Sequence, residues 1–446
     1  MSQGAPPERL NVVSKELFLS LYLPATAISL GMGLALPVLP EYAKSFDVSF
    51  EVAALVIILH SVGSWAATLP VGWALERVGR RPVLLTGGVL TAIAALLTAA
   101  APNFALLLAC RVLGGSAQQM WQMSRLAMIT DTGKARERGR MITWMMETSR
   151  FGNLFSPAIG GFLAVYVDIR LPFVLHGVLV LLAILPGFWL SHETDPNRTR
   201  ARAEGTERER VPWGEVIRDL GHRQMLAFLT AQFMANFTRG VSRGGFLNLY
   251  AAYQYGVGPG TLGLLASANS FLGLPLGFAT GYIMDRWGRK RTIVPGFSLL
   301  AVAMVFMTST ALFQMPFEVY AIAFLCVSFS SGITGGNMQV MGSDLAPARG
   351  RGQWMAIWRF IAESGSELSP SVFALVSALF GYVGSFGIVG FSALSVALLV
   401  GLGIRETVGR QRAGEDESGE IVPATVAPAG GASVVTAVRP TGDRGP

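Results

Sequence analysis

Residues 51–81 read EVAALVIILHSVGSWAATLPVGWALERVGRR. The first part, 51–73, is almost wholly apolar, and the rest is a short loop carrying Glu76, Arg77, Arg80 and Arg81. A helix of about 20 apolar residues crosses a bilayer, and a charged loop stops it at the headgroups. The same alternation recurs on both sides of this stretch. Candidate spans lie at 16–38, 51–73, 83–101, 104–128, 142–164, 171–190, 224–248, 259–282, 292–313, 317–341, 353–377 and 383–404. Buried strands of soluble α/β proteins are runs of 4–8 residues, and membrane barrels alternate over about 10, so neither fits. The 446 residues are 51% hydrophobic and 14% charged, with mean hydropathy +0.47. A solvated surface needs nearer 25% charge, and disorder needs low hydrophobicity. The expected fold is an all-α membrane protein with twelve transmembrane helices.

Several classes fall away at once. Two cysteines, Cys110 and Cys326, make neither a disulfide scaffold nor a four-ligand zinc site. The first run ends in Pro37-Val38-Leu39-Pro40, unlike a signal-peptide cleavage site. No phosphate-cradling G-x-x-x-x-G-K-(S/T) loop, no G-x-S-x-G elbow and no metal-spaced histidines appear, so an enzyme, a metal and a cofactor are not expected.

Charge sets orientation. Lys and Arg number three in 74–82, four in 129–141, seven in 191–223 and four in 283–291, whereas the opposite loops hold Lys44 and Arg170 only. This is the positive-inside pattern with both termini cytoplasmic. It assigns the net charge of +7 to the inner membrane face, so nucleic acid is not expected as a partner.

The chain divides into a cytoplasmic arm 1–15, a six-helix bundle 16–190, a charged linker 191–223, a second six-helix bundle 224–405 and a tail 406–446 expected to be disordered. The bundles repeat each other. Gly72-Trp-Ala-Leu-Glu76-Arg77-Val-Gly79-Arg80-Arg81 returns as Gly281-Tyr-Ile-Met-Asp285-Arg286-Trp-Gly288-Arg289-Lys290. Asp131, Arg136, Arg138 and Gly139 return as Asp344, Arg349, Arg351 and Gly352, and Ser156-Pro157 as Ser369-Pro370. A parallel repeat of six helices builds two-bundle transporters.

On these residues the sequence resembles the major facilitator superfamily over nearly the whole chain outside linker and tail. The doubled G-x-x-x-(D/E)-R-x-G-R-(R/K) stretch is that superfamily's loop signature. Leu30-Gly31 with Pro37-Val38-x-Pro40 is similar to a first-helix motif of its twelve-helix drug:proton antiporters. Arg111-x3-Gly115 partly matches their fourth-helix motif, with Gly114 and Ala117 as departures. Gly152-x3-Ser156-Pro157-x2-Gly160-Gly161 resembles their fifth-helix motif, with Ser in place of one Gly. The resemblance implies two pseudo-symmetric bundles, a bacterial inner-membrane location, multidrug efflux and a conformational role for the signature loops.

The loops also have a mechanical reading. Gly72 and Gly281 would permit close helix approach, and Gly79 and Gly288 a tight turn. Arg77 with Asp131, and Arg286 with Asp344, would form latches, helped by Glu76, Asp285, Arg80 and Arg289; anchoring at headgroups is the plainer alternative. Gly152, Ser156, Pro157, Gly160 and Gly161 suit either a pliable fifth helix or tight packing.

Charges inside the runs are costly, about 2.5–3.5 kcal/mol for an Arg at a helix centre, so they face a cavity or a partner. Arg111, Arg125, Arg150, Arg239, Arg243 and Arg359 outnumber Glu147, Glu363 and Glu367. Glu147–Arg150 and Arg359–Glu363 have bridge spacing, and Arg125 and Arg243 suit snorkelling. His60, Glu147, Glu363 and Glu367 are proton-carrier candidates, with His60 and Glu367 at similar depth in helices that superfamily architecture brings together; a merely hydrogen-bonded His60 is the alternative. Arg111, Gln118, Gln119, Gln122, Arg150, Asn236, Arg239 and Arg359 are cavity candidates. No acid lies inside 17–40, where many drug:proton antiporters carry one, and the excess of Arg admits an anionic substrate.

The expected function is secondary active export of a small amphipathic compound by a monomer, with protons and membrane lipid as further partners. Transport of an organic anion or lipid-like molecule by symport or facilitation stays open, as does a non-transporting sensor or scaffold.

Overall fold

Lipid offers no hydrogen bonds, so an apolar run crossing it must satisfy its backbone internally and becomes a helix. The computed structural model describes residues 18–132, 135–190, 218, 220–243, 245–345, 351–404 and 406, and among these there is no strand. The described residues form twelve transmembrane helices in two six-helix bundles.

In the N-terminal half, α1 joins a π-helical turn Phe18–Tyr22 to Leu23–Ala35 and Leu39–Lys44. Then follow α2 (Phe50–Arg77), α3 (Arg80–Ala99), α4 (Phe104–Thr132), α5 (Ala135–Tyr166) and α6 (Leu171–Leu190). In the C-terminal half, α7 comprises Arg223–Arg243 and Phe246–Gln254, broken at Gly245 with φ 85. It is followed by α8 (Pro259–Trp287), α9 (Lys290–Leu312) and α10 (Phe317–Thr334 with Asn337–Leu345). Arg351–Gly403 is a helix pair, α11 (351–380) and α12 (382–403), parted at Gly381 with φ 69 and ψ −176.

Seven described helical stretches are long and apolar enough to cross a membrane by themselves, one of them holding both α11 and α12. The rest fall short for local reasons. The first helix is interrupted around Pro37 and the seventh at Gly245. Polar side chains such as Arg111, Gln118 and Arg125 dilute α4, and the described apolar part of α5 is the shorter stretch Phe151–Tyr166. The expected arm 1–15 lies outside the described residues, as do most of the linker 191–223 and nearly all of the tail 406–446.

Between helices in lipid the hydrophobic effect is absent, and close packing at small residues replaces it. The two halves use the same contacts. A Cβ on Gly152 of α5 would sit 2.8 Å from the Thr26 carbonyl of α1, and one on Gly365 of α11 would sit 2.3 Å from the Phe233 carbonyl of α7. A Cβ on Gly33 would reach Ser156 Oγ at 2.0 Å, and one on Gly240 would reach Ser369 Oγ at 1.9 Å. The internal repeat is therefore a repeat of backbone approach. Around each half the neighbours also correspond: α2 on α4, α4 on α3 and α3 on α6, against α8 on α10, α10 on α9 and α9 on the α11–α12 pair. The halves join where α5 meets α8 and α2 meets α11. Side chains such as Leu69, Phe380 and Leu402 are exposed at 78%, 72% and 87%, the outward apolar face that a bilayer covers.

Candidate functional site

The signature loops turn as expected. Gly79 and Gly288 have φ 105 and 111, backbone that a residue with a Cβ adopts only under strain. Around Gly79, Arg80 donates to the Leu75 carbonyl at 3.2 Å, Arg81 donates to the Phe188 carbonyl of α6, and the Arg77 guanidinium lies over the Trp73 ring at 4.9 Å. Around Gly288, Arg286 donates to the Tyr282 hydroxyl at 2.8 Å, and Lys290 Nζ to the Gly401 carbonyl at 2.8 Å. Glu406, which sequence reading assigns to the tail, closes this loop. Its carboxylate accepts from the backbone amides of Arg289 at 2.9 Å and Lys290 at 3.1 Å, capping α9.

The side chains of Asp131, Asp285 and Asp344 lie outside the described residues, so the proposed latch partners are not seen. One expectation needs correction. Among the described residues, a Cβ at Gly72 or Gly281 would meet nothing within 4 Å, so neither glycine serves close approach to a described helix face in this conformation. Cross-half contacts among the described residues gather at the opposite end of the molecule. There Lys44 Nζ donates to the Ala252 carbonyl at 3.3 Å, Tyr253 donates to the Val48 carbonyl at 3.0 Å, and the Phe50 ring packs edge-on against Tyr382 at 4.8 Å. A Cβ on Gly161 of α5 would stand 2.2 Å from the Pro259 carbonyl of α8, whereas one on Gly160 would meet the Leu34 carbonyl of its own half at 2.0 Å. Pro157 leaves its neighbourhood short of a helical donor, and the next amide, Ala158, donates across the seam to Ser267 Oγ at 3.0 Å.

His60 and Glu367 do not meet each other. Consecutive helical residues point about 100° apart, and α2 uses this: Ser61 faces α11 and comes within reach of Glu367, while His60 turns into its own half and comes within reach of Gln118 of α4. Beside them Arg111 donates through Nε to the Val56 carbonyl at 3.0 Å. His176 of α6 comes within electrostatic reach of Arg111, and its Nε2 is buried without a hydrogen-bond partner. Arg111, His60, Gln118 and His176 border one cavity of about 50 Å³ inside the N-terminal half. Sequence reading misses His176, a lone polar residue in an otherwise apolar run; only folding places it opposite Arg111.

The other candidates are scattered. Gln119 bridges α4 to α2, accepting from Ser64 at 3.2 Å and donating to Thr68 at 3.1 Å. Gln122, Arg359 and Glu363 are exposed. Asn236 donates to the Gln232 carbonyl at 3.0 Å within α7, and Arg239 donates to the Thr334 carbonyl of α10. Arg125 is half-buried with its Nε unbonded. The side chains of Glu147, Arg150 and Arg243 lie outside the described residues.

Comparison with known proteins follows the same lines. A sequence profile described as Major Facilitator Superfamily matches residues 21–242 and again 228–439. The quinolone resistance protein NorA of Staphylococcus aureus (strain MRSA252) is 24% identical over 263 residues, covering 58% of this chain and 65% of that protein. The alignment thus spans slightly less than two thirds of that relative's length. Multidrug resistance protein 2 of Bacillus subtilis (strain 168) is 20% identical over 280 residues, 63% of this chain and 69% of the relative. Among solved structures, the partially occluded inward-open xylose transporter XylE from E. coli superposes with TM-score 0.68 at 18% identity, covering 88% of this chain and 99% of that one. A peptide transporter in complex with sulfate gives TM-score 0.68 at 13% identity, with coverage of 87% and 94%.

Proposed function

We propose that this chain, which belongs to the Major Facilitator Superfamily, exports small amphipathic compounds in exchange for protons. Membership and a transport role rest on the profile match across both halves. Coupling and substrate are the proposal. The drug-resistance names of its relatives support an exporter of varied compounds.

The observation that carries the coupling is the approach of Glu367 to Ser61. It sets an acid of α11 against α2 at the seam between the halves, so a proton on Glu367 changes the interaction across that seam. A carboxylate accepts from the Ser61 hydroxyl; a carboxylic acid can donate instead and carries no charge. A titrating acid at a moving seam ties proton binding to rocking, the motion by which such transporters alternate access. The cross-half contacts at Lys44, Val48 and Phe50 favour a state closed on the outside, in a bacterial inner membrane with both termini inside and the protein monomeric.

Reconstituted protein tests this directly. With an imposed pH gradient, efflux of an amphipathic dye should follow the gradient and stop when a protonophore collapses it. Efflux that ignores the protonophore would refute coupling.

A further inference from the structure

We propose that the cavity bordered by Arg111 is a seat for a carboxylate carried by the transported compound. This rests on the export reading above and names what the substrate brings. Three observations carry it.

The first is a cation with no counter-charge. Arg111 sits inside the N-terminal half, and among the described residues its hydrogen bond runs from Nε to the Val56 carbonyl. Among the described residues no Asp or Glu borders the cavity. The described intramembrane acids, Glu363 and Glu367, are on α11 of the other half. A charge in hydrocarbon needs a partner or a polar cavity, and a guanidinium whose Nε is occupied still presents its two terminal nitrogens as the fork that fits a carboxylate.

The second is the orphaned Nε2 of His176, buried in the same wall with nothing to bond. Buried polar atoms are seldom left unpaired, and this one leaves the wall able to take a further hydrogen-bonding group. His60 and Gln118 complete a ring of donors and acceptors supplied by α2, α4 and α6.

The third is size and exit. About 50 Å³ holds a few waters or one carboxylate group, whereas whole drug-sized ligands fill some 300–1,000 Å³. The rest of the compound must therefore lie outside. Leu36 and Leu39 border this cavity and also a smaller void that reaches Gly245 and Leu249 of α7. An acid seated on Arg111 thus places its apolar body toward the seam between the halves, where rocking acts on it.

The test is equilibrium dialysis of the purified full chain in detergent with 2-naphthoate, its methyl ester and nitrate. Saturable naphthoate binding is expected, with the ester at least tenfold weaker and nitrate a poor competitor. Arg111→Gln should abolish binding, and His176→Ala, which leaves the cation in place, should weaken it at least fivefold. Ester binding equal to the acid would overturn the proposal. So would nitrate binding without naphthoate binding, or unchanged affinity in the His176→Ala protein. Arg111-dependent naphthoate binding combined with gradient-independent efflux would refute proton coupling alone and leave the carboxylate seat standing.

Discussion

Gly160 and Gly161 are neighbours on α5, yet they face different halves of the molecule, and this gives a sharp test of rocking. A Cβ added at Gly161 would lie 2.2 Å from the Pro259 carbonyl oxygen and 2.9 Å from its carbon, across the seam. The backbone of α8 must recede by about 1.2 Å to restore an ordinary contact of 3.4 Å. Overpacking of this kind costs about 1–3 kcal/mol. Because the clash exists only while that end of the seam is closed, opening it removes the strain. Gly161→Ala should therefore shift the population toward the outward-open state by roughly 5- to 150-fold, at about 1.4 kcal/mol per tenfold. Gly160→Ala adds the same single carbon, but against Leu34 of its own half. That clash persists in both states, so the substitution should lower thermal stability and leave the population alone. Spin labels at Ser49→Cys and Gln254→Cys, exposed positions on either half at the closed end, report the opening by electron–electron double resonance. The Gly161→Ala protein should gain a longer-distance population that the Gly160→Ala protein lacks. An unchanged distribution in Gly161→Ala, or an equal shift in both, would refute the assignment of the seam.

Other outcomes follow from the same geometry. Gly79→Ala and Gly288→Ala force a Cβ into positive-φ backbone, so each should cost about 1–2 kcal/mol and lower the melting temperature in detergent. Glu406→Ala removes the acceptor for the Arg289 and Lys290 amides at the start of α9, at about 0.5–2 kcal/mol; hydrogen exchange should rise at Arg289 and Lys290 and stay constant around Arg80. Gly240→Ala should destabilise more than Gly33→Ala: both meet the Oγ of the equivalent serine, but a Cβ on Gly240 also meets the Ser366 carbonyl oxygen at 2.4 Å, where one on Gly33 meets the Asn153 side chain at 2.9 Å; equal losses of melting temperature would contradict this geometry.

Much of the fold is legible from hydropathy because lipid imposes one rule on every span. The run expected at 104–128 is Phe104–Thr132, and that at 171–190 is Leu171–Leu190. The run expected from 142 begins seven residues earlier, at Ala135, because ARERGR extends the helix beyond the apolar region that hydropathy detects. The repeat is legible too: Ser156-Pro157 and Ser369-Pro370, matched by sequence alone, meet Gly33 and Gly240 in equivalent contacts. The site is less legible. Depth along two helices suggests that His60 approaches Glu367, but depth does not fix rotation, and a turn of one residue gives Glu367 to Ser61 instead. His176 has no sequence signal beyond being polar in a run of leucines and valines. Glu406 reads as the start of a tail because its partners are backbone amides, which no side-chain pattern reveals.

The most direct test of coupling at the seam is proton movement into proteoliposomes holding a trapped pH dye, measured while an amphipathic substrate is expelled. Wild-type protein should acidify the lumen in step with substrate loss, and Glu367→Gln should abolish both under a pH gradient while keeping its melting temperature. Normal acidification and transport by the Glu367→Gln protein would remove Glu367 as the proton carrier and end the proposed coupling.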